Sequence, residues 1–206
     1  MSKSYFITAI HTDSGKTLVS SIFTQALHAD YWKPIQAGYP RDTDTVMKFV
    51  HNNKSRFHKE AYLLQAPMSP HAAARLEHIE IHLDNILMPR TENTLIVEGA
   101  GGILAPISDT QFVIDIAAKF KLEVILVCNI YLGSINHSLL TINELKRRKI
   151  KVKGIVFNGP ENTETEDIIL KHSGYPYLLR VKQEKKITQE VVNRYAIELM
   201  STWSEK

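Results

Sequence analysis

Seven consecutive residues, His11-Thr-Asp-Ser-Gly-Lys-Thr17, bring a lysine and a hydroxyl together behind a glycine. They follow the apolar run Tyr5–Ile10 and open a segment with helical spacing. A turn in that position aims backbone N–H groups and the positive end of a helix at a phosphate chain. Lys16 would then reach the β- and γ-phosphates of a nucleotide, and the Thr17 hydroxyl would ligate magnesium. The strict phosphate-loop pattern is not met, because its first glycine falls at Ile10. An ordinary helix start capped by Ser14 or Asp13 fits the same residues.

Two further segments carry chemistry. In Val97-Glu-Gly-Ala-Gly-Gly102, Glu98 would stand at the carboxyl end of a strand, where the ligand crevice of an open α/β sheet lies. The glycines behind it let the backbone approach a bulky anion. Magnesium takes one or two carboxylates together with phosphate oxygens and water. Asp44 is the candidate for the second carboxylate, although read alone it suits a helix cap. In Lys33-Pro-Ile-Gln-Ala-Gly38, Lys33 would point into the same crevice as Lys16. Two ammonium groups require a highly charged group between them, which makes Lys33 a candidate for stabilising charge during phosphoryl transfer. Ser69-Pro-His71 and Asn158-Gly159 read equally well as turns.

The elements that must hold these residues are legible in the hydrophobic pattern. Tyr5–Ile10, Thr94–Val97, Val124–Cys128 and Val152–Phe157 read as buried strands, each rich in Val, Ile or Phe and bounded by polar or turn residues. Tyr31–Ile35 and Tyr175–Leu179 are weaker strands, each with a proline that points to an edge or a strand end. Helical spacing marks 17–29, with Leu18, Ile22, Ala26 and Ala29 on its stripe, and also 112–120, 135–149, 163–173 and 187–203. The cationic turn Lys146-Arg-Arg-Lys149 reads as a solvated helix end. Strand and helix alternate, which predicts an α/β fold: one doubly wound, mostly parallel sheet with helices on both faces. The segment from Arg41 to Arg90 reads as an insertion lying over the ligand end of the sheet. Its five histidines match no zinc-ligand spacing.

At 206 residues the chain suits a single domain, here expected to span 1–206. It is 44% hydrophobic and 23% charged with a net charge of +3, which excludes disorder and predicts neither nucleic acid nor membrane as partner. The single cysteine, Cys128, excludes a disulfide framework and reads as a small core residue. No run approaches the length of a transmembrane helix or secretory leader, so a cytoplasmic location is expected.

The three motifs in this order resemble the dethiobiotin synthetase family, phosphate-loop ligases of biotin biosynthesis. Ala9-Ile-His-Thr-Asp-Ser-Gly-Lys-Thr17 matches the family leader, and Lys33–Gly38 and Val97–Gly102 match two further boxes. Pro67–His71 and Leu132-Gly-Ser-Ile-Asn-His137 match as well, and so does a strand ending in Asn158. The resemblance covers about residues 4–158. It implies an ATP- and magnesium-dependent enzyme that carboxylates 7,8-diaminononanoate with CO2 and closes a cyclic urea, releasing ADP and phosphate. It implies that Asp13, Ser14, Gly15, Lys16, Thr17 and Leu18 cradle the phosphates, with Glu98, Gly99, Ala100 and Gly101 close by. Thr17, Asp44 and Glu98 would hold magnesium. Thr12, Lys16 and Lys33 would be catalytic, with Thr12 and Lys33 facing the carbamate and Ala37 beside the substrate. Asn158 and Gly159 would meet the adenine. Gly133, Ser134, Ile135 and Asn136 would bind the substrate carboxylate across a homodimer interface.

Three departures stand out. Ala9 replaces the leader glycine, His11 replaces an acidic residue, and Ala37 lacks a hydroxyl found in the family. The tail around Leu178–Glu184 lacks the usual nucleotide loop. Two alternatives share the pattern: a switch ATPase of the chromosome- or septum-positioning type, whose additional lysine would fall at His11, and an amide-forming ligase for another substrate.

Overall fold

The computed structural model describes residues 3–203; the remaining ends of the expected single domain lie outside the described residues. Apolar runs bounded by polar residues fold as strands of one sheet, in the order β4 (Phe57–His58), β2 (Asp30–Trp32), β6 (Leu95–Gly102), β1 (Ser4–Ala9), β7 (Glu123–Asn129), β8 (Val152–Asn158) and β9 (Tyr177–Val181). Every pairing between them is parallel. The chain visits β2 on one side of β1 and later β7 on the other, so the order reverses at β1 and leaves a crevice at the carboxyl ends of the strands.

Side chains alternate across each strand, and the two faces carry separate cores. On one face Tyr5, Ile7, Tyr31 and Ile96 pack with Val19, Ile22 and Phe23 of α1 (Lys16–Leu27), Val46 of α2 (Asp42–Phe49) and Val192, Tyr195 and Leu199 of α7 (Gln189–Thr202). On the other, Phe6, Val97, Leu126 and Phe157 pack with α4 (Ile114–Phe120), α5 (Ser134–Arg147) and α6 (Thr163–Ser173) through Ala117, Ile142 and Ile169. The expected doubly wound architecture is therefore present. Cys128 is fully buried in the second core, and burial pushes its thiol up to about 12. It packs and does not react.

Three expectations are corrected. The α1 stripe is centred on Val19, Ile22 and Phe23, with Leu18 and Ala26 only half-buried, because the helix buries a face turned one residue from the predicted one. The run from Tyr31 to Ile35 is two strands. Pro34 donates no hydrogen bond, so β2 stops at Trp32 and β3 (Ile35–Ala37) pairs instead with β5 (Tyr62–Leu64) in a separate two-stranded sheet. The segment 41–90 is more than an insertion. It supplies edge strand β4, places Val46 and Val50 in one core and Ile81 and Ile86 in the other, and contains α3 (Pro70–Leu76). A buried carboxylate fastens it: Asp30 accepts from the Arg56 and Asn93 N–H groups, the Thr91 hydroxyl and the His58 ring.

Candidate active site

The turn after β1 is built around Gly15. Its φ of +92° lies in the left-handed region that glycine adopts freely, and a Cβ there would come within 2.3 Å of the Asn158 amide nitrogen. That nitrogen donates to the Ser14 carbonyl at 2.9 Å. Ser14 donates its hydroxyl to the His11 carbonyl at 3.0 Å, and Lys16 Nζ reaches the same oxygen at 3.3 Å. The loop is thereby closed on itself at the start of α1.

The crevice is a cavity of about 720 Å³ at the carboxyl ends of β1 and β6. Thr12, Lys16, Thr17, Lys33, Ala37, Asp42 and Glu98 all line it, as do Ala100 and Gly101. Lys33 Nζ lies 3.0 Å from Glu98 Oε1 and 2.5 Å from Asp42 Oδ2, with the Gly99 carbonyl at 3.3 Å. Glu98 is 1% exposed and accepts from three side chains: Thr17 and Lys33 on Oε1, and Tyr31 on Oε2 at 2.9 Å. Gln36 clamps the far wall, donating to the Gly38 carbonyl while its Oε1 accepts from the Asp42 N–H. Asp42 thus begins α2 with its carboxylate turned to Lys33.

The two lysines differ electrically. Burial and the nearby Lys33 charge lower Lys16 to about 8, with Glu98, Asp42 and Asp13 opposing. Burial also pulls Lys33 down, but Glu98 and Asp42 outweigh it and hold this ammonium above its ordinary value. Burial together with the Glu98 charge pushes the Tyr31 phenol well up, so it serves as a donor. Lys33 is a fixed cation held between two anions, while Lys16 has a proton in play. Such a site neutralises a polyanion and stabilises charge that builds on it.

The carboxylate expected as the second magnesium ligand is not brought to the crevice. Asp44 faces solvent with its side chain half exposed and pairs with Arg41. Asp42, two residues earlier, takes the inward position, and the sequence reading missed it. Arg41 engages the Asp44 carboxylate from three residues away, which leaves Asp42 to pair with Lys33. Tyr31 and Gln36 were missed as well. The strand expected to end at Val97 continues through the glycine box, since β6 reaches Gly102 opposite Ala9.

Asn158, Gly159 and Leu18 line a second recess of about 320 Å³ with Asn129, Lys182, Gln183 and Glu184. Asp13 borders both recesses, so the phosphate loop separates them. Gly133, Ser134, Ile135 and Asn136 lie elsewhere, at the start of α5. Ser134 is buried there, while Ile135 and Asn136 are exposed, and none of the four lines the crevice of its own chain. Among the described residues no three His, Cys, Asp or Glu side chains cluster to hold a metal on their own.

The chain matches a family model described as an AAA domain over residues 3–191. It is 60% identical to an ATP-dependent dethiobiotin synthetase of Cytophaga hutchinsonii over 98% of this chain and all of that one. A second, from Christiangramia forsetii, is 48% identical over 95% of each chain. The chain belongs to the dethiobiotin synthetase family. Among solved structures, the septum site-determining protein MinD of Pyrococcus horikoshii, complexed with Mg-ADP, aligns with a TM-score of 0.59 at 13% identity, covering 98% of this chain and 90% of that one. At that identity the likeness is one of fold. Within the dethiobiotin synthetases, this chain therefore presents its phosphate loop and its lysine–carboxylate cluster on a single crevice.

Proposed function

We propose that the protein is an ATP-dependent cyclo-ligase that converts 7,8-diaminononanoate and CO2 to dethiobiotin in biotin biosynthesis, with ADP and phosphate released. The observation that carries this reading is the convergence of Lys16, Lys33, Thr17, Asp42 and Glu98 on one crevice in a member of this family.

One substrate amine attacks the CO2 carbon and loses a proton, giving a carbamate. A carbamate oxygen attacks the γ-phosphorus of ATP, the bond to the β-phosphate oxygen breaks, and a carbamic–phosphoric anhydride forms. The second amine attacks the carbonyl carbon; phosphate leaves, a proton is lost and the ring closes. The protein's work is positioning and electrostatics. Backbone N–H groups from Asp13 to Leu18 cradle the phosphates. Lys16 leaves the His11 carbonyl for the γ-phosphoryl oxygens. Lys33 and Thr12 face the carbamate, and Lys33 offsets charge as the oxygen attacks. Ala37 meets the substrate through backbone atoms, and Gly99 to Gly101 give the phosphates room.

Thr17, Glu98 and Asp42, the last in place of Asp44, suit magnesium: they are hard oxygen donors, too few to enclose an ion, as expected of one shared with phosphate and water. Bound there, the ion would neutralise β- and γ-phosphate oxygens. The second recess suits the base. With its Nδ2 committed to Ser14, Asn158 has Oδ1 left to accept from an exocyclic amine. The exposed start of α5, with Leu132, Ile135 and Leu140 uncovered, suits a second copy of the chain whose crevice it would complete. The partners are then small molecules and a like subunit. A cytoplasmic location suits a biosynthetic enzyme of this family; no helix among the described residues is long and apolar enough to cross a membrane.

The test is chemical. Purified protein given diaminononanoate, bicarbonate, ATP and magnesium should release one phosphate per cyclic urea formed. Hydrolysis stimulated by a protein partner and indifferent to the diamine would favour the switch ATPase instead.

A further inference from the structure

Tyr31 belongs to none of the motifs that mark the family; the nearest begins two residues later, at Lys33. It is fully buried in strand β2, its ring against Phe57. A phenylalanine would fill the same apolar space, so the hydroxyl requires a reason, because a buried polar atom persists where it is bonded. Its bond goes to Glu98 Oε2 at 2.9 Å. The register explains the reach: Tyr31 pairs with Ile96, and Glu98 stands two residues further along β6 on the same face. The phenol therefore runs diagonally down the sheet and meets the carboxylate from the side away from the crevice.

The two oxygens of Glu98 then have separate employments. Oε1 faces Thr17 and Lys33, and Oε2 is held from behind. We propose that Tyr31 is a positioning residue, fixing the rotation of the Glu98 carboxylate so that one oxygen stays aimed at the divalent cation shared with Thr17 and Asp42. The proposal rests on the metal reading given above. Losing a group that orients a metal ligand from behind typically costs about 10- to 100-fold in metal affinity.

The test is titration of Mn2+ into the full-length protein saturated with ADP, followed by the electron paramagnetic resonance signal of free Mn2+. Three proteins are compared: the parent, Tyr31→Phe and Ile96→Val. The last trims the same core face and leaves the phenol in place. Tyr31→Phe should weaken Mn2+ binding by about tenfold, while ADP affinity without metal stays within about twofold. Ile96→Val should lower the melting temperature and leave Mn2+ affinity unchanged. The proposal is overturned if Tyr31→Phe binds Mn2+ as the parent does, or if Ile96→Val weakens binding equally. A parent that binds no Mn2+ with ADP removes the metal reading itself, a distinguishable result.

Discussion

Lys33 and Glu98 stand 65 residues apart in the chain and 3.0 Å apart in space. The sheet order makes the meeting inevitable: β2 and β6 are neighbours, so a residue just past the end of one faces a residue near the end of the other. Asp42 closes on the same ammonium from the start of α2. A cation fixed in this way is already in place before charge develops beside it.

Replacing that cation should separate binding from turnover. Lys33→Ala should bind ATP almost normally and lose on the order of a hundredfold or more in the rate of the chemical step. Equilibrium nucleotide binding alongside single-turnover phosphate release would reveal the split. Equal losses in both would show that Lys33 merely anchors ATP.

The two aspartates of α2 should behave differently. Asp42→Asn should cut turnover by on the order of a hundredfold, because it removes a charge from the crevice. Asp44→Asn breaks a solvent-exposed pair with Arg41 and should change turnover by less than about twofold. Steady-state assays across a magnesium series test both, and a reversed order would restore Asp44 to the site.

Nucleotide binding should take up protons. Lys16 sits at about 8 in the free protein, lowered by burial and by Lys33. A triphosphate against it raises that value, so the complex holds a proton that part of the free protein lacks. At pH 8 ATP binding should take up about half a proton, near pH 6.5 almost none, and affinity should fall as pH climbs above 8. Calorimetry in buffers of different ionisation enthalpy measures this. Lys16→Arg, charged at every accessible pH, should abolish the uptake.

Gly15→Ala should destabilise the protein by about 2 kcal/mol or more through backbone strain alone, and further through the clash with Asn158. Asn158→Ala removes the clash and leaves the strain. A double-mutant cycle followed by denaturant unfolding should therefore find the Gly15→Ala penalty smaller in the Asn158→Ala background. Identical penalties would mean that the loop gives way without cost.

The dimer reading invites complementation. Ile135→Glu puts a carboxylate where the substrate carboxylate should dock, and Lys33→Ala disables the phosphate side. Each alone should be inactive. Equimolar mixed dimers should recover about a quarter of parental activity, since half are hybrids with one intact site each. Recovery near zero, with dimers present by sedimentation, would put both residues in the same chain's site.

Much of this was readable without coordinates, for physical reasons. Strands buried on both faces are rich in Val, Ile and Phe, so β1, β7 and β8 announce themselves. The Gly-Lys-Thr turn has few other uses between a strand and a helix. Asp42 was missed because choosing between two aspartates depends on where Arg41 points, which is a fact about side-chain geometry. Tyr31 was missed because a tyrosine in an apolar strand reads as filler until its register against Ile96 is known. The division of Tyr31–Ile35 between two sheets was invisible for a similar reason: Pro34 signals an end and says nothing of where the next pairing partner lies.

The bonds that Ser14, Lys16 and Asn158 make within and across the turn after β1 bear on timing. Because those bonds hold the turn from within the chain itself, the entropy of ordering it is surrendered as the chain folds. Arrival of a nucleotide should then proceed at the pace of encounter, with one lysine side chain changing its oxygen partner and the backbone staying where it was.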